Sequence, residues 1–419
     1  MIDETKLYTN PAAISPLKPS LPLPKKLNDL AIEVMKGAAG LAKSLHGVTA
    51  AAIANFLRPA NSYYSNLIEG HDTHPLAIAQ ALHNEYQTGT KNHALQVEAI
   101  AHIAVHQELR QLLAEHSNNP YTAAFWKSLH FAFYQHLPED FRFVESYEGK
   151  LLEVLPGEIR TTNVRVGAHI APAFEAIEGF TTLMESIYKP SYEHDRFARI
   201  VQIGAAHHRL AWVHPFLDGN GRVMRLFSDA AFIAEELDAN GLWSMSRGLA
   251  RHEREYKEKL TLADAQRQGD GDGRGNLSES NLIMFCEFFL RVALDQIEYM
   301  TRVLAIDDML GRLKSLVELM RIKEKWRPES YYILEAVFLK GSIAREEVIR
   351  LTGLSDKTAK AIARNLIKVG LLATNEANNR DPYRAAYSIQ YAPMLFPGLY
   401  PASKEADIVR VGMRTTETR

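Results

Sequence analysis

Residues 214 to 225 read His-Pro-Phe-Leu-Asp-Gly-Asn-Gly-Arg-Val-Met-Arg, so a histidine, a carboxylate, two glycines and two arginines fall within twelve positions. Gly219 and Gly221 can take positive φ and turn backbone N–H groups into one concavity. A helix starting at about Gly221 adds unpaired N–H groups and a positive dipole end, so an anion fits there. Arg222 and Arg225, three apart, lie on nearly the same side of the first turn, and each can clamp phosphate oxygens with a guanidinium fork. Two such forks suit a polyphosphate. Asp218 supplies the hard oxygen that Mg2+ takes when it bridges phosphates and keeps most of its waters. His214, immediately before the loop, is the candidate general base.

The segment meets every specified position of the signature HPFx(D/E)GNGRxxR and therefore resembles the Fic family, most of whose members transfer AMP from ATP to a hydroxyl of a target protein. The resemblance implies that His214 takes the proton from the attacking hydroxyl and that Asp218 holds Mg2+. It also implies that Asn220 and the Gly219 and Gly221 amides cradle the α- and β-phosphates. Arg222 would neutralise the departing pyrophosphate and Arg225 would hold the γ-phosphate. Pro215 stiffens the start of the loop, and Phe216 anchors it in the core.

Three further stretches gain meaning beside that loop. In Ser65-Asn66-Leu67-Ile68-Glu69-Gly70, Ser65 and Glu69 are one helical turn apart and Gly70 is placed to end the helix. The stretch is similar to the family's inhibitory pattern (S/T)xxxE(G/N), which implies that Glu69 pairs with Arg225 where the γ-phosphate belongs. Some family members use the same glutamate to place a water that removes AMP, so a reverse activity stays open. Residues 158–160 and 164–166 flank Thr161-Thr162-Asn163 in a manner compatible with a short β-hairpin. This resembles the family's flap, whose edge (Arg160, Thr161, Thr162, Asn163, Val164) would pair with an extended target segment and present its hydroxyl. In the helical stretch 251–267, Tyr256 and, eight residues on, Asp264 resemble an adenine pocket, although the family often has asparagine at the second position.

These groups need a scaffold, and the periodicity predicts a mainly α one. Helices are expected over 27–46, 99–113, 121–134, 195–210 and 223–236, with a helical stretch over 282–325. Histidines 93, 102, 106, 116, 130 and 136 read as surface or interhelical residues; His102 and His106 are four apart but lack the ligands that would complete a metal site. Residues 331–339, 345–351 and 355–369, followed by a tail over 371–389, give three helices and a hairpin in the order of a winged helix. Its third helix shows Lys357, Lys360, Arg364 and Lys368 against Asp356, a modest basic face that suits DNA phosphates or a protein partner. The run 269–276 fails as an EF-hand, because Arg274 and Asn281 fall at its fifth and twelfth positions; it reads as a flexible surface loop. There is no P-loop and no dinucleotide fingerprint.

With 419 residues, 46% of them hydrophobic, and a net charge of −2, the chain has core for two or three domains and no global bias toward nucleic acid. The single Cys286 cannot form an internal disulfide and is expected as a buried thiol. The polar start and the lack of an apolar run near ~18 residues point to a cytoplasmic protein without a membrane partner. The expected organisation is a Pro-rich extended arm (1–26), a helical region with the inhibitory motif (27–115), a Fic catalytic core with its flap (116–300), a helical linker (301–327), a winged-helix domain (328–400) and a tail (401–419). Its substrates would be ATP with Mg2+ and a protein hydroxyl, its own included, and a homodimer would suit a regulated enzyme. Two rivals remain: a de-AMPylase or user of another phosphate donor, and a DNA-binding regulator that senses nucleotide.

Overall fold

Proline spacing keeps the first segment out of regular structure beyond one short turn, and the segment docks through its carbonyls. Tyr8 O and Ser15 O accept from Ala173 N and Leu277 N, and Pro16 O accepts from the buried Arg209 guanidinium. The computed structural model describes residues 7–414 apart from 88, 146–148, 168, 191–194, 376 and 379.

Helices α1 (Lys25–Ala42), α2 (Gly47–Ile68), α3 (Pro75–Ala81), α4 (Thr90–Glu115) and α5 (Ala123–Gln135) come first. The end of α2 is set by Gly70, which at φ +85 lets His71 N reach Asn66 O and its own N–H reach Leu67 O, each at 2.9 Å. That paired closure satisfies carbonyls a helix otherwise leaves free. It holds Ser65 and Glu69 on one face of the last turn.

Two small antiparallel ladders follow, β1 (Phe143–Glu145) with β2 (Leu151–Glu153) and β3 (Arg165–Val166) with β4 (His169–Ile170). The second is displaced from the expected hairpin. Residues 158–160 form no strand and 161–163 are not the turn; the chain reverses beside Gly167, at φ +60. The reason is that Arg160 N–H donates to Pro215 O at 3.0 Å and so is committed to the 214–225 loop rather than to a ladder.

Next come α6 (Ile177–Tyr188), α7 (Arg196–Val213), α8 (Asn220–Ala234), α9 (Met245–Arg251), α10 (Glu253–Ala263), α11 (Glu279–Val303) and α12 (Ile306–Glu324). The stretch expected as one helix over 251–267 is broken at His252, and that over 282–325 at Leu304 and Ala305. The 269–276 run is tied down, contrary to expectation, because the buried Asp272 carboxylate accepts from Gln268 N and Ser280 N. Helix α7 is the central rod. It is buried continuously from residue 200 to 210, packs against α1, α6, α8 and α11, and lets Phe289 of α11 lie on Gly204. Cys286 of α11 is buried.

The last unit holds α13 (Ser330–Lys340), β5 (Ser342–Ile343), α14 (Glu347–Thr352), α15 (Asp356–Lys368), β6 (Leu372–Ala373) and β7 (Tyr383–Ala385), then α16 (Ala392–Leu395) and α17 (Ala402–Arg414). Its sheet runs β5-β7-β6, all antiparallel. Among the described residues no helix is long and apolar enough to cross a membrane.

Candidate active site

The loop between α7 and α8 is built from its ends inward. His214 closes α7 in the left-handed region (φ +50), donating its N–H to Leu210 O. Its carbonyl takes Arg160 Nε at 2.9 Å, while Arg160 Nη1 and Nη2 donate to Thr162 O and Pro172 O. One buried guanidinium thus fastens the 214–225 loop to the segment before α6. Burial, then the charges of Arg160 and His169, push the His214 imidazole down to about 4, so it is neutral at ordinary pH. A neutral imidazole can accept a proton.

Across the loop, the Asn220 side chain accepts from Phe216 N at 2.9 Å and donates to Phe216 O at 2.8 Å. Its amide is therefore engaged in closing the loop on itself. Gly219 stands at φ +76 with the Tyr134 ring so close that a Cβ would clash, and α8 begins immediately after it. His130 stacks on Phe216 at 4.2 Å and on Tyr134 at 4.4 Å. Its Nδ1 accepts from Gly157 N at 2.8 Å, which leaves Nε2–H to donate to Asp218 O at 3.2 Å. Burial holds its ring down to about 4.

Asp218 Oδ2 accepts from the Tyr134 hydroxyl at 2.5 Å and from Arg222 Nη2 at 3.2 Å. Burial pushes this carboxyl up, but Arg222, Tyr134 and the Gly219 amide outweigh it and hold it low. On the first turn of α8, Arg222 Nη1 also meets Glu98 Oε1 at 3.3 Å, and Glu98 Oε2 lies 2.6 Å from His71 Nδ1. Arg225, only 1% exposed, donates from Nε to Ser65 Oγ, and from Nη2 to Ser65 O and to Glu69 Oε1 at 2.7 Å. The Glu69 carboxylate rests over Gly221, where a Cβ would run into it. Burial raises the Glu69 carboxyl, yet Arg225 and Arg222 more than offset this and hold it below its ordinary value. A carboxylate thus sits on the N-terminus of α8, the place where helix geometry favours an anion.

Residues 120–231 match the sequence model of the Fic/DOC family, a span from just before α5 into α8. The chain carries a Fic/DOC family domain. The fold is similar to that of a Fic family protein from Desulfovibrio desulfuricans G20, at 14% identity and a TM-score of 0.52 over 88% of this chain and 99% of that one. It is also similar to a Fic domain containing signaling protein from Bacteroides thetaiotaomicron VPI-5482, at 15% identity and a TM-score of 0.47 over 65% and 96% of the two chains. At 14% identity the likeness to the Desulfovibrio protein is one of fold alone.

Within the Fic domain, His214, Asp218, Gly219, Asn220, Gly221, Arg222 and Arg225 lie on one loop and helix start, and Ser65 and Glu69, with Gly70 capping their helix, meet them from α2. Tyr256 and Asp264 do not join them through any bond. The Tyr256 hydroxyl is buried and donates to His207 Nε2 at 2.8 Å, while Asp264 pairs with His208 and His169. Of the expected flap edge, Arg160 is turned inward, 3% exposed. Thr161 is exposed, Asn163 Oδ1 accepts from Phe174 N, and Val164 O accepts from Ala171 N.

Sequence reasoning missed His130, Tyr134, Glu98 and His71. From sequence His130 reads as one of several surface or interhelical histidines, and nothing near it marks it out, because its partners are 27 and 88 residues away. For the Mg2+ implied by the family the candidate ligand is Asp218, with a side chain 40% exposed and Oδ2 already engaged, since the nearby Glu69 and Glu98 carboxylates are held by Arg225 and Arg222. No cluster of three or more acids, histidines or cysteines fit to hold a metal occurs among the described residues. That donor set fits a cation that takes its other oxygens from phosphates and water.

Proposed function

We propose that the Fic domain transfers AMP from ATP to a Ser, Thr or Tyr hydroxyl of a protein and that Glu69 holds it inhibited. The observation that carries this reading is the Glu69 carboxylate on Arg225 and over Gly221, an anion already lodged where a phosphate of the nucleotide would bind. With Glu69 displaced, the α8 amides, Arg222 and Arg225 receive the phosphates. His214 accepts the proton of the incoming hydroxyl, whose oxygen bonds to the α-phosphorus as the bond to the bridging oxygen of pyrophosphate breaks. The two arginines offset the charge that gathers on the leaving pyrophosphate. Asp218 would hold Mg2+, which when bound supplies further neutralisation of phosphate charge. The free edge of the β3–β4 ladder suits main-chain pairing with an extended target segment.

The C-terminal unit is proposed as a winged helix that meets a protein partner rather than reading DNA. On α15, Lys360 is paired with Asp356, which thins the basic face that phosphate contacts would need. The test of the transfer reading is to supply Glu69→Gly protein with α-labelled or γ-labelled ATP, Mg2+ and cell extract. Label from the α position on protein, above that of extract without the chain, is expected, with no such excess from the γ position. An excess from the γ position over extract alone would assign phosphoryl transfer, and no excess from either would end the reading.

A further inference from the structure

The helix that ends in Glu69 is also the helix on which the C-terminal unit is mounted. Thr49 Oγ1, early in α2, donates to Phe338 O of α13 at 2.8 Å, and the Phe56 ring packs on Phe396 at 4.8 Å and on Tyr387 at 5.9 Å. Then α2 carries Pro59 in its interior. A proline there has no N–H for the carbonyl four residues back and crowds the preceding turn, so the helix is weakest at that point.

Beyond Pro59 the contacts with the C-terminal part of the chain pass to one short segment, while Ser62 Oγ donates to Ala99 O of α4 at 2.9 Å. The Tyr63 ring meets Tyr400 edge-on at 5.7 Å, and the Tyr64 hydroxyl donates to Leu399 O at 2.8 Å, across 335 residues. The next residue is Ser65, which holds Arg225. Past the helix, Asp72 pairs with Lys404 at 2.8 Å and His74 faces Asp407 at 3.7 Å. The same segment is tied to the catalytic unit by Arg247 of α9. That guanidinium donates to Leu399 O and Gly398 O, holds Gln296 Oε1 and stacks on Tyr299 at 3.8 Å. One face of the last turns of α2 therefore holds the active-site arginine, and an adjacent face holds residues 398–400.

We propose that residues 396–408 clamp the inhibitory end of α2, so that loosening this segment releases Glu69 from Arg225. The proposal rests on the reading that Glu69 blocks the nucleotide. By linkage the coupling runs both ways: whatever expels Glu69 from the phosphate seat must loosen residues 396–408.

The test uses the full chain with Tyr64→Phe and Lys404→Ala together, substitutions that cut two bonds of the seam and touch neither Arg225 nor the loop. Amide hydrogen exchange is followed by mass spectrometry, and ATP affinity by calorimetry, beside Glu69→Gly. One buried hydrogen bond and one half-exposed ion pair are together worth about tenfold in a local opening equilibrium. Exchange over 61–70 is expected to quicken by about that factor with 196–213 unchanged, and ATP binding to tighten several-fold. Glu69→Gly is expected to quicken exchange over 396–408. If the double variant does not fold, Lys404→Ala alone is read in the same way with a smaller factor. Exchange over 61–70 equal to that of the parent chain, in a variant of unchanged melting temperature, overturns the clamp. ATP affinity unaltered by Glu69→Gly overturns the blocking role of Glu69 alone, since the exchange data still decide the clamp.

Discussion

Glu69 Oε1 lies 2.7 Å from Arg225 Nη2, and the carboxylate occupies the space left by the missing side chain of Gly221. Glycine at 221 leaves room for Glu69. On the proposed reading the same room takes a phosphate group once Glu69 is gone.

Gly221→Ala separates these roles. Gly221 does not need positive φ, so alanine is tolerated by the backbone while its methyl strikes the Glu69 carboxylate. The latch should open, yet the same methyl stands in the phosphate seat. ATP affinity is expected to stay at or below that of the parent chain, in contrast to Glu69→Gly, where removing the competing charge should tighten it by about tenfold. Calorimetry on the two variants gives the comparison, and tighter ATP binding in Gly221→Ala would remove this placement of the phosphate.

The pH dependence of transfer follows from His214. Its imidazole must be neutral to act as a base, and it stays neutral until pH falls to about 4. In the Glu69→Gly background the acid side of the kcat/KM profile should be flat from pH 8 down to about 5. A fall centred near the ordinary histidine value of about 6.5 would contradict the environment assigned to His214.

Tyr134 donates to Asp218 Oδ2 and so fixes the carboxylate proposed to hold the cation. Tyr134→Phe is expected to cost about 1 kcal/mol of stability and to weaken apparent Mg2+ affinity by roughly tenfold, as loss of a partner bonded to a metal ligand does. A Mg2+ titration of ATP binding reads the second effect. An unchanged titration would mean that Asp218 needs no such support.

His130 links the loop to Gly157 only in its neutral form, and its folded value is about 4. The unfolded chain takes up this proton below about pH 6.5, the native chain only near 4, so this contribution is present above about 6.5 and is lost as pH falls toward 4. In all it amounts to about 3 kcal/mol. His130→Gln should flatten the decline of the urea midpoint between pH 7.5 and 5 relative to the parent chain. Equal slopes would contradict it.

What could be read beforehand was what is local. The glycines at 219 and 221, the arginines three apart and a helix start expected at about 221 are consequences of near neighbours, and the structure has them together with the helix starting at Asn220. The end of α2 is local too, since Gly70 closes it with bonds that span three and five residues. Positions that depend on distant chain were not legible. Residues 158–160 look like a strand, yet Arg160 is drawn to His214 O, 54 residues on, and the hairpin forms later. Glu98 and His71 sit in unmarked sequence, and only the packing of α4 against α8 brings Glu98 to Arg222. Tyr256 has the right spacing from Asp264 for a shared pocket, but its hydroxyl is taken by His207 in the core.

The most direct test of the Glu69 latch and the His214 base is transfer of label from α-labelled ATP to protein, with Mg2+ and cell extract, by three full-length chains: the parent, Glu69→Gly, and Glu69→Gly with His214→Ala. Strong labelling by Glu69→Gly, about tenfold or more above the parent, that disappears with His214→Ala is the expected result. Equal labelling by all three chains, or none by any, would contradict both the latch and the base.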